Sequence, residues 1–340
     1  MLKLFISICK ITLVVLLLVI LAGSIVRMTG SGMGCPDWPK CFGKWIPPTD
    51  KNELPHNYKE IYSAKREKKI IDFSKLLDAI GFTNEAQALI NDKSLLIEQD
   101  FNANKTWTEY INRLLGFLAG NLILLMVILS IFLLKYDKRI FIYSFINLIL
   151  ILFTAWFGSI VVATNLLPWI ISIHMGIALI IVAIQVYVLH LATKPKYRFD
   201  VSLIFIWLLR LLIAVSFIQI ILGTQVRQQV DEIALQLGDA LRHEWVKHFD
   251  WVFYIHRSFS LIVLTLISYL FYRNWKYCLG INIINLLLLI VILEILSGII
   301  LTYLGMPKYL QPVHLVLSAS MLAIEFYILF RARRSRRVLN

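Results

Sequence analysis

The sequence predicts an all-α membrane protein of eight transmembrane helices, arranged as two pseudosymmetric four-helix bundles. Three observations carry this. Only 16% of the 340 residues are charged while 59% are hydrophobic, more apolar surface than a water-facing chain of this length could hide in one core. Eight apolar runs reach or closely approach the roughly 20 residues that a bilayer core of about 30 Å requires. The last four runs also repeat features of the first four.

The runs cover residues 5–26, 111–134, 141–163, 168–191, 201–226, 251–272, 279–304 and 312–330. The first follows Lys3 and contains Lys10, a basic start that secretory signals share. It lacks an A-x-A cleavage site, and Leu21-Ala22-Gly23-Ser24 lacks a lipoprotein cysteine, so it reads as a retained anchor. Between the first two runs lies a polar loop, 28–108, in which the amphipathic stretches 73–80 and 85–90 predict surface helices. The formal net charge of +13 is distributed by topology. Basic residues crowd 135–139, 194–198, 273–276 and 331–337, whereas 163–168 and 304–311 are nearly neutral and 227–250 holds more acids than bases. That asymmetry is the positive-inside bias. It places both termini in the cytoplasm, predicts a multi-pass protein of the cytoplasmic membrane with the lipid bilayer as its medium, and removes the case for nucleic acid.

The internal repeat divides the chain into residues 1–192, with the long outer loop, and residues 193–340. Gly23-Ser24-Ile25-Val26-Arg27 matches Gly223-Thr224-Gln225-Val226-Arg227, and Tyr110-Ile111-Asn112-Arg113 matches Tyr254-Ile255-His256-Arg257. One constant offset aligns Gly158 with Gly298, His174 with His314 and Ala183 with Ala323. Four helices per half give both halves the same orientation, hence a parallel repeat about an axis along the membrane normal.

Of four cysteines, Cys9 and Cys278 fall near the inner side. Cys35 and Cys41 lie together just beyond the first helix on the outer side, where such a pair can close a small disulfide loop. A structural staple and a redox-active pair both fit that placement.

The histidines differ in weight. His56, His243 and His248 fall in outer loops and His190 at the inner end of the fourth helix. His174, His256 and His314 each lie within about one and a half turns of the outer start of an even-numbered helix, at one depth. Ionisable side chains inside a bundle are costly without a partner and are functional candidates by default. Zinc would want three or four clustered ligands, more than either half offers. Heme needs one or two axial ligands and an apolar slot between helices, so His256 and His314 read as a bis-histidine pair. Arg27, Arg113, Arg227 and Arg257 sit at helix ends on that side, where heme propionates seek cations. Each alone is also what a snorkelling interfacial residue looks like.

Taken in order, Gly23-Ser24-Ile25-Val26-Arg27-Met28-Thr29-Gly30-Ser31-Gly32, Cys35-Pro36-Asp37-Trp38-Pro39-Lys40-Cys41, Glu109-Tyr110-Ile111-Asn112-Arg113, Gly223-Thr224-Gln225-Val226-Arg227 and Tyr254-Ile255-His256-Arg257 resemble the heme A synthase family over nearly the whole chain. The first is close to that family's G-G-x-T-R-L-T-G-S-G. The resemblance implies an oxidoreductase that converts the methyl group of heme O to the formyl group of heme A for terminal oxidases. It implies two pseudosymmetric bundles, with heme b held by His256 and His314, the substrate side marked by His174, an activity-requiring Glu109, and an outer cysteine pair at Cys35 and Cys41. There are two departures. Asn112 stands where the family has a second substrate-side histidine, so the substrate iron is five-coordinate or is reached by Met28 or His56. The second cysteine pair of some members is absent.

On this resemblance heme O enters the N-terminal bundle from lipid with its farnesyl tail left in the apolar phase, and heme b relays electrons from a quinol or ferredoxin-like donor. Two hydroxylations give a geminal diol that loses water to the aldehyde, the macrocycle doing most of the chemistry. Heme O synthase is the implied supplier and partner. Glu109 either moves protons beside the substrate or pairs with Arg113 one turn on. Two other functions compete, a b-type cytochrome passing electrons to or from quinol and a non-catalytic heme carrier or oxidase assembly factor. A prenyltransferase is disfavoured because no aspartate-rich diphosphate motif occurs in an inner loop.

Overall fold

The computed structural model describes residues 1–194 and 199–334. Among these residues, eight helices are long and apolar enough to cross a membrane. They are α1 (Leu2–Met28), α4 (Ala103–Ile131), α5 (Lys138–Ala163), α6 (Pro168–Thr193), α7 (Leu203–Leu237), α8 (Trp251–Lys276), α9 (Ile283–Tyr303) and α10 (Leu310–Arg331). Two further helices, α2 (Tyr58–Ala79) and α3 (Thr83–Asn91), belong to the long connection after α1. A short parallel pairing joins β1 (Phe199–Val201) to β2 (Ala332–Arg334). The all-α membrane architecture is as the apolar runs predict. Of the basic clusters, Lys196, Arg198, Arg336 and Arg337 lie outside the described residues.

Helix neighbours form two closed rings. In one, α1 packs on α4, α4 on α5, α5 on α6 and α6 on α1; in the other, α7 packs on α8, α8 on α9, α9 on α10 and α10 on α7. Contacts of α1 and α6 with α10, and of α6 with α7, join the rings. The joining core is apolar, with Leu16, Ile20, Leu179, Ile220, Ala319 and Leu322 all buried. The outward faces stay apolar too. Phe117, Phe132, Leu152, Leu261 and Leu289 are exposed, as expected where lipid tails solvate a side chain as well as another helix does.

Three boundaries differ most from the sequence reading, each for a local reason. Helix α4 begins at Ala103 rather than near residue 111, because Asn102 accepts from the Lys105 amide at 3.1 Å and caps about two extra turns. Helix α7 runs on past residue 226 to Leu237. Its added turns bury Val230 and Ile233 against Trp245, Phe249, Phe253, Leu301 and Met306, and Gly238, at φ +70°, ends it in a conformation other residues avoid. Helix α2 is far longer than the stretch 73–80. Its buried stripe is Tyr58, Tyr62, Arg66, Ile70, Phe73 and Leu77, one face of a helix at spacings of three and four, but an arginine in the middle interrupts the apolar pattern.

Arg66 is tolerated there because it is paired. Its Nη2 lies 2.7 Å from Glu98 Oε1, and its Nη1 donates to Leu95 O at 2.9 Å. Burial nevertheless pushes the Glu98 carboxyl up and the Arg66 guanidinium down. This pair ties the chain before α4 to α2, while Phe73 meets Phe157 of α5 edge-on at 6.5 Å. The polar connection is thereby packed over the ends of α5 and α6, with Ile70, Leu77, Leu89, Ile160 and Ile170 in one core. That end of the bundle is called the loop face below.

Candidate functional site

The residues singled out by depth in the sequence share the loop-face ends of their helices, and each faces a glycine. A Cβ placed on Gly223 of α7 would lie 3.2 Å from His256 Cε1, one on Gly298 of α9 would lie 3.7 Å from His314 Cε1, and one on Gly158 of α5 would lie 3.4 Å from His174 Cε1. The fourth member is Gly23 of α1, whose added Cβ would lie 3.8 Å from Asn112 Oδ1. At Gly223 a Cβ would crowd the His256 ring, so glycine is what lets the α7 backbone approach it; at the other three positions a Cβ would be in ordinary contact.

His256 and His314 are brought together. Their ring centroids are 6.5 Å apart and the planes cross at 77°. Imidazoles that ligate one metal from opposite sides through bonds of about 2 Å place their centroids roughly 6 Å apart, so the separation suits axial ligation of a single ion. His314 Nδ1 lies 2.8 Å from Glu294 Oε2 and 2.7 Å from Ser297 Oγ. His256 is held through its backbone, its carbonyl accepting from Gln219 Nε2 at 2.9 Å, and its Nδ1 is buried with no hydrogen-bond partner among the described residues. Such a nitrogen is costly unless it gains a partner of its own, a metal ion included.

In the other ring His174 is stacked on Phe157, centroids 6.4 Å apart and planes at 15°. Its Nδ1 is likewise buried without a partner among the described residues. Glu109 is 5% exposed and accepts from Arg113 Nε at 3.0 Å. The rest of that guanidinium faces the loop after α1, donating to Cys35 O at 2.7 Å, Asp37 O at 2.5 Å and Lys40 O at 3.2 Å. Cys35 and Cys41 form a disulfide and are both buried. Asn112 is half-buried on α4, and His56 is exposed on the polar connection.

The remaining arginines have partners of their own. Arg27 Nε and Arg227 Nη1 converge on one carboxylate, Asp231, at 2.9 and 2.6 Å, bridging the ends of α1 and α7. Arg257 is exposed, with its guanidinium 5.4 Å from the Tyr254 ring and 5.9 Å from that of Phe253. His190 stacks near Tyr187 and Phe330 at the other end of α6. Sequence reasoning missed Asp231 and Glu294. Glu294 carried a legible signal, being a lone carboxylate in the apolar run of α9, the kind of residue that is functional by default in a membrane span.

The family model described as COX15-CtaA, cytochrome oxidase assembly protein, matches residues 7–76 and 81–325. A heme A synthase of Shewanella oneidensis is 31% identical over 189 residues, covering 55% of this chain and 45% of that protein. A heme A synthase of Wolbachia pipientis is 24% identical over an alignment of 349 positions, covering 94% of this chain and 90% of that protein. The match to the Shewanella protein thus spans less than half of that relative's length. No solved structure gives a significant match. With its model matched along nearly the whole chain, the protein belongs to the COX15-CtaA family of cytochrome oxidase assembly proteins.

Proposed function

We propose that this protein is a heme A synthase, an oxidoreductase of the cytoplasmic membrane that oxidises the methyl group of heme O to the formyl group of heme A. In this reading residues 1–192 form the substrate bundle and residues 193–340 the electron-transfer bundle, with both termini in the cytoplasm. One observation carries it. A facing histidine pair, His256 and His314, occupies one helix ring, while the loop-face end of the other ring holds His174, whose Nδ1 is buried, and the buried carboxylate of Glu109. An electron carrier alone needs only the first.

His256 and His314 would hold heme b, which supplies one-electron transfer when bound. The 6.5 Å ring separation and the unpartnered His256 nitrogen fit that group. His174 would hold the iron of the substrate heme O, with Asn112 on the opposing helix. Glu109 holds or moves a proton beside the substrate, and Arg113 orients its carboxylate through the 3.0 Å contact. Arg257, and the pair Arg27 and Arg227 that shares the single carboxylate of Asp231, are the cations able to receive propionates, Arg113 being committed to Glu109 and three carbonyls. The electron donor is a quinol or a ferredoxin-like protein, and heme O synthase supplies the substrate.

The test is to give the purified protein heme O and a reductant, then resolve extracted hemes by chromatography. Heme A should accumulate with turnover. If heme O is returned unchanged while the protein still exchanges electrons with quinol, the protein is a b-type cytochrome.

A further inference from the structure

The buried polar residues of helix α9 are Glu294 and Ser297, and both point at one atom, His314 Nδ1. Glu294 is 8% exposed, and a carboxylate at that depth persists only with strong partners. Its Oε2 lies 2.8 Å from His314 Nδ1, and its Oε1 accepts from Ser318 Oγ at 3.0 Å. Ser297 Oγ lies 2.7 Å from the same Nδ1 and donates its only hydrogen to Glu294 O at 2.8 Å. A hydroxyl that has spent its hydrogen can only accept, and so can a carboxylate. Both neighbours of Nδ1 are therefore acceptors, which puts the proton on Nδ1 and leaves the Nε2 lone pair available as a ligand.

The other ring lacks this apparatus. The offset that aligns His174 with His314 sets Thr154 at the position of Glu294, Phe157 at that of Ser297 and Ala178 at that of Ser318. Thr154 Oγ1 turns back to Leu150 O at 2.7 Å, and Phe157 stacks on His174 instead of bonding to it. His256 has no Nδ1 partner either among the described residues. Among these three rings, a carboxylate therefore acts on His314 alone.

We propose that Glu294 is a positioning residue which, through His314, fixes the ligand tautomer and lowers the reduction potential of the heme held between His256 and His314; this rests on the heme reading above. A carboxylate accepting the N–H of a ligating imidazole makes that ring a stronger electron donor, which favours the oxidised iron. Ser318 works against this, because the hydrogen it shares between Glu294 Oε1 and His314 O draws off part of the carboxylate's accepting power.

The experiment is a redox titration of the purified, heme-loaded, full-length protein, followed by the absorbance of its low-spin heme. Glu294→Gln keeps the shape of the side chain and removes its charge. It should retain the low-spin spectrum and favour reduction by about tenfold, or about 59 mV for one electron. Glu294→Asp should return part of that change. Ser318→Ala should move the potential the opposite way, towards the oxidised form, and a purely structural role for Glu294 would not produce opposite signs. The proposal is overturned if both variants titrate with the parent protein or move in the same direction. Should Glu294→Gln fail to hold heme, the sign of the Ser318→Ala change decides alone. A parent protein with no bis-histidine heme would remove the heme reading and this one with it, whereas an intact heme with unmoved potentials removes only this one.

Discussion

Arg113 Nε donates to Glu109 Oε1 at 3.0 Å one turn along α4, and the same guanidinium holds the carbonyl of Cys35 at 2.7 Å. A single arginine thus connects the buried carboxylate to the disulfide loop. Removing one partner of a buried ion pair leaves the other uncompensated, at a cost of about 3–5 kcal/mol. Arg113→Gln should therefore lower the thermal midpoint of the detergent-solubilised protein and expose residues 35–41 to proteolysis. Arg113→Lys keeps the charge but cannot reach the carboxylate and three carbonyls together, and it should recover less than half of the lost stability. Equal midpoints for all three proteins would show that the clamp contributes nothing.

The Cys35–Cys41 bond is buried beneath that clamp. If it acts as a staple, replacing both cysteines with Ser should cost about 2 kcal/mol, the order expected for closing so short a loop, and leave turnover largely intact. Alkylation without reductant, read by mass spectrometry, should find neither thiol free. A double variant of normal stability and abolished turnover would instead mark the pair as redox-active.

His256→Ala or His314→Ala should each abolish the low-spin heme signal and turnover, since both rings are needed across the 6.5 Å gap. His190→Ala is the control, because that ring packs near Phe330 at the opposite end of the bundle. An unchanged bis-histidine spectrum in His256→Ala would refute the assignment.

Asn112 faces Gly23 as His256 faces Gly223. An amide is a poor heme ligand beside imidazole, so a heme loaded in the N-terminal ring should be high-spin or mixed-spin, with His174 its one strong ligand. Asn112→His should move that heme towards low spin and leave the C-terminal one unaltered. Two fully low-spin centres in the unmodified protein, by electron paramagnetic resonance, would contradict this and point to a loop ligand, with His56 the first to replace.

Glu53 gives a pH-dependent test in the polar connection. The Lys44 ammonium at 2.7 Å, followed by the amides of Thr49 and Asp50, pulls its carboxyl from an ordinary 4.5 to about 2. A folded-state value below the unfolded one means that the stabilisation is complete above about 4.5 and is lost as pH falls towards about 2. Protection factors of the amides at 49–53, taken relative to intrinsic exchange at each pH, should fall across that window, and in Glu53→Gln they should be low and flat with pH. A parent protein whose exchange pattern there does not depend on its carboxyl would exclude the effect.

Residue types and their spacing determined the membrane-spanning architecture, because each apolar run must be solvated by lipid whatever its neighbours are. They also marked the histidines, since a polar ring at one depth in three even-numbered helices is costly without a use. What they could not determine were features that depend on partners distant in the chain. The stripe of α2 was hidden by Arg66, whose burial is possible only because Glu98 folds back onto it. The extra turns of α7 form because Trp245 and Leu301 cover Val230 and Ile233. Arg27 and Arg113 look alike in sequence, as cations at helix ends, yet one meets Asp231 and the other a carboxylate and three loop carbonyls. Which acceptor a guanidinium reaches is a matter of a few ångströms between helices, and only the tertiary packing of α1, α4 and α7 decides it.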